Sequence, residues 1–287
     1  MVNRSRLTSW LMHLKGRRGK QIINHTVKMF RFHMTPFSQL LSRILETLDE
    51  YDAKFTFPLV AATAQSNPSL VEWLGSFPHE IAIHGYKHIK YSLLSLDQQV
   101  FEFKKAIRIF KELKIPYQGF RAPYNAYSES TIELVEKFGF KWDGGIGYRL
   151  EYRYGQEFFK VKLRNGKKSS YTCIPLCEWS DDRMIDKYRL SWKKMAKILI
   201  FHLEKARKVN GLVMYDLHPI RIGQREYIRS LSELLLHARN IGAWIPTVSE
   251  AVDCWSKDQR WKGDAPVCCL LTGDIDNFTF FDYMRRT

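Results

Sequence analysis

From Thr35 onward this chain alternates short β-rich runs with helical stretches of about 10 to 20 residues, and that grammar limits its folds. Apolar or β-rich runs fall at 53–60, 80–83, 118–121, 140–143, 212–217, 243–248 and 266–273. Thr35-Pro36 reads as N-cap and first helical residue ahead of SQLLSRILETLDEYD. Ser95 caps a helix to about Lys114, with Val100, Phe103, Ile107 and Phe110 on one face; a second runs from Ser128 to Gly139, a natural helix stop. Strands separated by helices of this length imply parallel βαβ units. About seven or eight such units, with no GxGxxG turn, predict an α/β fold, a TIM-like (β/α)7–8 barrel. No internal repeat and no Pro-, Gly- or Ser-rich linker interrupts it, so one barrel domain is expected over 29–287. A β-rich insertion at about 147–178 and a C-terminal strand at about 266–276 complete it.

The chain has 287 residues, 45% of them hydrophobic, which excludes disorder and low-complexity readings. No apolar run approaches the roughly 18 to 20 residues that cross a bilayer, and no secretory signal pattern is present. Five cysteines without CxxC pairs fit a reduced, cytoplasmic chain. The charge is less ordinary. Lys+Arg exceeds Asp+Glu by 45 to 30, giving +15, which favours phosphorylated or otherwise anionic partners. The first acidic residue is Glu46, behind Arg4, Arg6, Lys15, Arg17, Arg18, Lys20, Lys28 and Arg31. Residues 1–28 thus form a basic arm, in which Leu7, Trp10, Leu11 and Leu14 share one helical face. Such a helix either packs on its own domain or lies on anionic lipid. No nucleic-acid motif accompanies the charge, so no nucleic-acid partner is expected.

In a barrel of this kind chemistry collects at the carboxyl ends of the strands. There the sequence places His84 and His88 at i, i+4, then Arg121-Ala-Pro-Tyr124, Asp143 and His218. If the segment after EIAI turns helical, both imidazoles fall on one side, close enough to share a metal. Taken together, two histidines of metal spacing, a third histidine, an arginine and an aspartate are the parts of a metal hydrolase.

This ordered set resembles the polysaccharide deacetylase family, the NodB-homology domains of carbohydrate esterase family 4. The family's H-[ST]-x-x-H resembles His84-Gly85-Tyr86-Lys87-His88, and its R-x-P-Y resembles Arg121-Ala122-Pro123-Tyr124. Its fourth motif resembles Trp142-Asp143, and its L-x-H is matched by the Leu-His ending of Asp216-Leu217-His218. AKFTFPLVA and PHEIAIHGYKH resemble connecting strands, so the likeness spans about 29 to 250. It implies a deformed barrel and one divalent metal ion, zinc by preference. The first motif departs: T-F-D-D-G-P is met by Arg31-Phe32-His33-Met34-Thr35-Pro36, without either carboxylate.

The segment PVCCLLTG-Asp274-Ile275-Asp276 has the grammar of the missing motif, an apolar strand ending in acids. In a closed barrel the last strand lies beside the first and could present these acids to the vacant position. The alternatives are a solvated turn or a helix cap there, with His33 as third ligand or base. The resemblance then implies His84, His88 and Asp276 as metal ligands and Asp274 as general base tethered by Arg121. It implies His218 as the acid with Asp143 raising its pKa, and Tyr124, Pro123 and Trp142 at the substrate, the Tyr124 N–H stabilising the oxyanion. The expected reaction removes an N-acetyl or similar acyl group from a sugar in a phosphate-linked glycan intermediate, in the cytoplasm or at the inner membrane face. Aromatic and basic residues of the insertion (Tyr148, Tyr152, Tyr154, Phe158, Phe159, Lys160, Lys162) either wall the cleft or form a hairpin on the barrel edge. The competing readings are an inactive carbohydrate-binding relative and a hydrolase of a non-sugar C–N bond.

Overall fold

The β-rich runs pair in parallel, as the helices between them require. A computed structural model describes residues 19–149, 151 and 155–285. In chain order the elements are α1 (Gly19–Phe32), α2 (Phe37–Glu50), β1 (Thr56–Leu59), α3 (Ala61–Ser66), α4 (Pro68–Gly75) and β2 (Glu80–Ile83). Then come α5 (Leu96–Glu112), β3 (Gly119–Phe120), α6 (Glu129–Lys137), β4 (Trp142–Gly147), β5 (Thr172–Pro175) and α7 (Trp192–Arg207). The chain continues through β6 (Leu212–Asp216), α8 (Pro219–Ile222), α9 (Ile228–Asn240), α10 (Val248–Asp258), β7 (Cys268–Thr272) and α11 (Phe280–Arg285). The strand order is β5-β4-β3-β2-β1-β7-β6. A parallel bridge from Leu176 to Met214 brings the two outer strands together, leaving a nearly closed, deformed seven-stranded barrel.

Helices pack on it through the faces their periodicity marks. Leu40, Leu41, Ile44, Leu45 and Leu48 of α2 are all buried, each contributing roughly 2 kcal/mol of transfer free energy. Ser95 and Gln98 form the capping box that opens α5, and Ser128 and Thr131 do the same for α6. Helix α2 begins at Phe37 rather than Pro36, because Pro36 holds ψ at 135°. No strand forms at 243–248. Only Trp244 bridges Cys268, and Thr247 then accepts the Glu250 N–H to start α10.

Strand β7, last in the sequence, lies between β1 and β6. It pairs along its whole length with β6, from Leu212–Cys268 to Asp216–Thr272, and meets β1 at Thr56–Thr272. Beyond Thr272 the chain stays on β1: Ile275 N donates to Pro58 O (2.8 Å) and Val60 N to Ile275 O (3.2 Å). Gly273 makes this possible, since a Cβ there would stand 1.9 Å from Leu217 O on the neighbouring strand end.

The amino ends of the strands form a polar floor. Glu80 accepts from Thr56 Oγ1 (2.9 Å), Trp142 Nε1 (3.1 Å) and Ser249 N (3.1 Å), joining β1, β2, β4 and α10. Trp142 is fully buried in this floor, and its position opposite the catalytic-type strand ends overturns its expected place at the substrate.

Within the insertion, Phe159 pairs antiparallel with Cys173 and Lys162 with Lys168, so this part is a hairpin on the outer edge of β5. Phe158 packs on Trp255 and Trp261, and Lys160 donates to Ser170 O and Thr172 Oγ1. These residues do not wall the cleft; Tyr152 and Tyr154 lie outside the described residues. So do residues 1–18 with Leu7, Trp10, Leu11 and Leu14, and the arm boundary expected at 28 falls inside α1. Among the described residues no helix is long and apolar enough to cross a membrane.

Candidate active site

The carboxyl ends of β2, β3, β6 and β7 converge on one constellation. After β2 the chain bends instead of turning helical. Gly85 takes φ +77°, and its carbonyl accepts the Ala61 N–H at the start of α3. Buried Glu102 of α5 accepts the Lys87 N–H at 2.9 Å and clamps the bend. The expected helix is absent, yet the bend sets the His84 and His88 rings 5.3 Å apart, centroid to centroid.

Asp276 approaches both rings, with Oδ1 3.6 Å from His84 Nε2 and 3.2 Å from His88 Nε2. Asp274 Oδ2 lies 3.3 Å from the same His84 nitrogen. His84 Nδ1 is 2.9 Å from Arg121 O, and a carbonyl only accepts, so Nδ1 carries the hydrogen in this contact. In the neutral ring Nε2 then presents a lone pair. That fully buried nitrogen makes no hydrogen bond and faces two carboxylates. A lone pair directed at anions in a buried site is an arrangement that a cation between them resolves. His84, His88 and Asp276 offer donor atoms within 4.8 Å of one another, a nitrogen and carboxylate set that suits zinc. The residues present therefore fit a divalent ion.

Two further groups have that spacing, Asp181–Asp182–His218 and Asp216–His218–Asp274, and both carboxylates of the second face Arg121. Arg121, fully buried, donates from Nη1 to Asp274 Oδ1 (2.9 Å) and Asp216 Oδ1 (3.2 Å), from Nε to Gly144 O (3.0 Å) and from Nη2 to Thr272 Oγ1 (2.7 Å). His218 Nδ1 meets Asp181 Oδ1 at 2.7 Å. Burial alone would lower the pKa of His218, but Asp216 and Asp181 override it and hold the imidazole well above its ordinary value. Burial pushes the Asp216 carboxyl up to about 7, opposed by His218, with Asp274 adding to the rise.

Asp143 is not the partner of His218. Its Oδ2 accepts from Tyr127 Oη (2.7 Å) and its Oδ1 from the Gly145 and Ile146 N–H groups (2.9 and 2.8 Å), while burial raises its pKa to about 6. Tyr127 Oη in turn accepts the Ala122 N–H at 2.8 Å, so Asp143 braces the Arg121–Tyr124 turn. In that turn Pro123 is buried and Tyr124 adopts the left-handed conformation (φ 60°, ψ 11°), an unusual state for a side-chain-bearing residue. Its ring lies 4.3 Å from that of His88. His33 packs against Phe280 (6.1 Å) and Tyr283 (6.5 Å), and among the described residues it joins none of the metal-compatible groups. Asp181, Asp216, Tyr127 and Thr272 are site residues that sequence reasoning did not single out. Only Asp216 had a signal, its place directly before Leu217-His218.

A barrel with His, Arg and Asp groups at its strand ends defines a class, and the comparisons show what it is similar to. The polysaccharide deacetylase family model matches residues 20–142. A relative named peptidoglycan deacetylase-like protein FGM2, from Gibberella zeae, is 29% identical over 137 residues, covering 46% of this chain and 40% of that protein. A peptidoglycan deacetylase from Helicobacter pylori is 27% identical over 108 residues, covering 37% of this chain and 36% of that protein. The matches thus span well under half the length of these curated relatives. Among solved structures, an allantoinase, Puue, superposes with a TM-score of 0.69 at 19% identity, covering 86% of this chain and 80% of its own. A probable polysaccharide deacetylase from Pseudomonas aeruginosa PAO1 gives 0.69 at 18% identity, covering 82% and 77%. Over the matched stretch the chain is similar to the polysaccharide deacetylase family, at low identity to its relatives. His84, His88 and Arg121 lie within the matched stretch, whereas His218, Asp274 and Asp276 lie beyond it.

Proposed function

We propose that the chain is a metal-dependent hydrolase that removes an N-acetyl or related acyl group from a sugar in a phosphate-linked glycan intermediate. The observation that carries this reading is the convergence of His84, His88 and Asp276 around a buried, unsatisfied imidazole nitrogen, with Arg121-held Asp274 beside it. A divalent cation held by His84, His88 and Asp276 supplies Lewis acidity toward water and toward an acyl carbonyl. Asp274 takes the proton of the attacking water: Arg121 fixes its Oδ1 and leaves Oδ2 turned toward His84. His218, held protonated by Asp216 and Asp181, delivers a proton to the departing amine through Nε2, since Nδ1 is committed to Asp181. The N–H of Tyr124 stabilises the oxyanion, and the left-handed turn braced by Asp143 and Tyr127 sets its direction. The products are a free amine on the sugar and a carboxylate.

Names of the relatives and the +15 charge support the substrate class, and the same charge suits work at the inner membrane face. The test is elemental analysis of the purified protein after reconstitution with zinc. Wild type is expected to hold about one divalent ion, lost in His84→Ala and Asp276→Asn and kept in His33→Ala. Wild type that stays metal-free ends the hydrolase reading in favour of a carbohydrate-binding relative. Release of acetate from N-acetylated sugars, assayed beside formamides and cyclic amides, separates sugar from non-sugar substrates.

A further inference from the structure

The candidate acid and its carboxylate partner stand on different loops. His218 lies between β6 and α8, whereas Asp181 lies on the segment between β5 and α7. Their 2.7 Å contact is only as well aimed as these two loops are held together. A second tie joins the same loops. Arg221, buried and one turn after His218, donates from Nε (3.1 Å) and Nη2 (2.8 Å) to Asp186 Oδ2 on the Asp181 segment. Arg221 N also donates to His218 O (2.9 Å), so guanidinium and imidazole belong to one short turn. From Asp181 the chain runs into a π-helical turn over Arg183–Lys187, anchored by buried Met184 and Ile185. Such turns are rare and occur mostly where function fixes the backbone.

Helix α1 reaches both loops. On the Asp181 side, Lys28 Nζ pairs with Asp186 Oδ1 (2.8 Å) and donates to Ile185 O (3.2 Å). On the His218 side, Gln224 Nε2 donates to Phe32 O at the end of α1 (3.1 Å) and to Ile220 O of α8 (3.1 Å). Burial alone would raise the Asp186 carboxyl, but Arg221 and Lys28 override it and hold its pKa down at about 2. Asp186 therefore stays ionised through the neutral range, and both ties persist. Ion pairs withdrawn from water add little stability compared with apolar packing of the same volume. What this one adds is geometry: it fixes the two loops whose ends must meet as Asp181 and His218.

We infer that Arg221, Asp186 and Lys28 are positioning residues for His218, and that α1, which runs into the segment 31–36 lacking the first-motif carboxylates, braces the acid half of the site. The effect on turnover rests on the hydrolase reading; the alignment of Asp181 with His218 does not. The test follows the His218 Nδ1 proton of the full chain by NMR, assigned by its loss in His218→Gln. Lys28→Met and Arg221→Met are each expected to speed its exchange with water about tenfold, and Lys28→Arg, which keeps the cation, to restore it. Lys28→Met decides alone if Arg221→Met does not fold. Exchange unchanged in Lys28→Met overturns the inference, and so does exchange accelerated equally at buried backbone N–H groups across the barrel. With acetate release from N-acetylated sugars as readout, Lys28→Met is expected to lower kcat about tenfold at unchanged KM. In an Asp181→Asn background it is expected to lower kcat no further, and full additivity there overturns the inference. A chain that shows the exchange changes but deacylates no sugar removes the hydrolase reading and leaves the brace standing.

Discussion

Asp143 and Asp181 are both fully buried, and burial raises the pKa of each. Only Asp181 touches His218, at 2.7 Å, while Asp143 is spent on Tyr127 and two backbone N–H groups. Asp181→Asn is therefore expected to move the His218 titration down by about 1–3 pH units, followed by NMR of the ring protons. If His218 acts as the acid, activity is lost as pH rises through its pKa, and this alkaline limb moves to lower pH in the same variant. Asp143→Asn is expected to leave the limb in place and lower turnover through the loosened Arg121–Tyr124 turn. His84, His88 and Arg121-x-Pro-Tyr124 were legible because their relations are local in sequence. The Asp181–His218 pair joins two distant loops, with no spacing that could announce it. Trp142 misled for a related reason: adjacency to Asp143 says nothing about the opposite directions of successive side chains in a strand.

Helix α5 reaches the metal-type loop through Glu102, whose burial pushes its carboxyl up to about 7 against the stabilising Lys87 N–H. The folded pKa is above the usual 4.5, so the fold favours the protonated form. Stability from this group is full below about pH 4.5 and is lost as pH rises to about 7. Glu102→Gln is expected to flatten that window by on the order of 2 kcal/mol, measured by urea unfolding at pH 5 and pH 8. At the end of β7 the constraint is steric. Gly273→Ala places a methyl against Leu217 O and is expected to cost about 3 kcal/mol in the same measurement. The helices with capping boxes and apolar stripes could be read from sequence to within a few residues. The 243–248 run could not, because a nearby cap won the backbone for α10.

Across the whole molecule, the barrel was legible from its alternating pattern, and with it the place of the last strand beside the first, since a closed ring of sequential parallel strands brings its two ends together. The structure places β7 between β1 and β6, and Phe278 beyond it lies 5.1 Å, ring to ring, from Phe37 at the start of α2. The acidic strand is thus adjacent in space to the segment 31–36, where the family resemblance expects it in sequence. A circular permutant that joins the region of Phe278 to Pro36 by a short linker and opens the chain before β7 is expected to keep Tm within a few degrees and to keep its zinc. Collapse of either would show that the native connectivity matters beyond adjacency. The native order has its own cost in time. During synthesis β1 and β6 emerge long before the strand that separates them, so each waits with an open edge, and closing the ring requires a long loop to find its ends. A nascent chain interrupted before β7 carries both imidazoles and neither Asp274 nor Asp276. Until β7 pairs with both edges, it would need shielding from its neighbours.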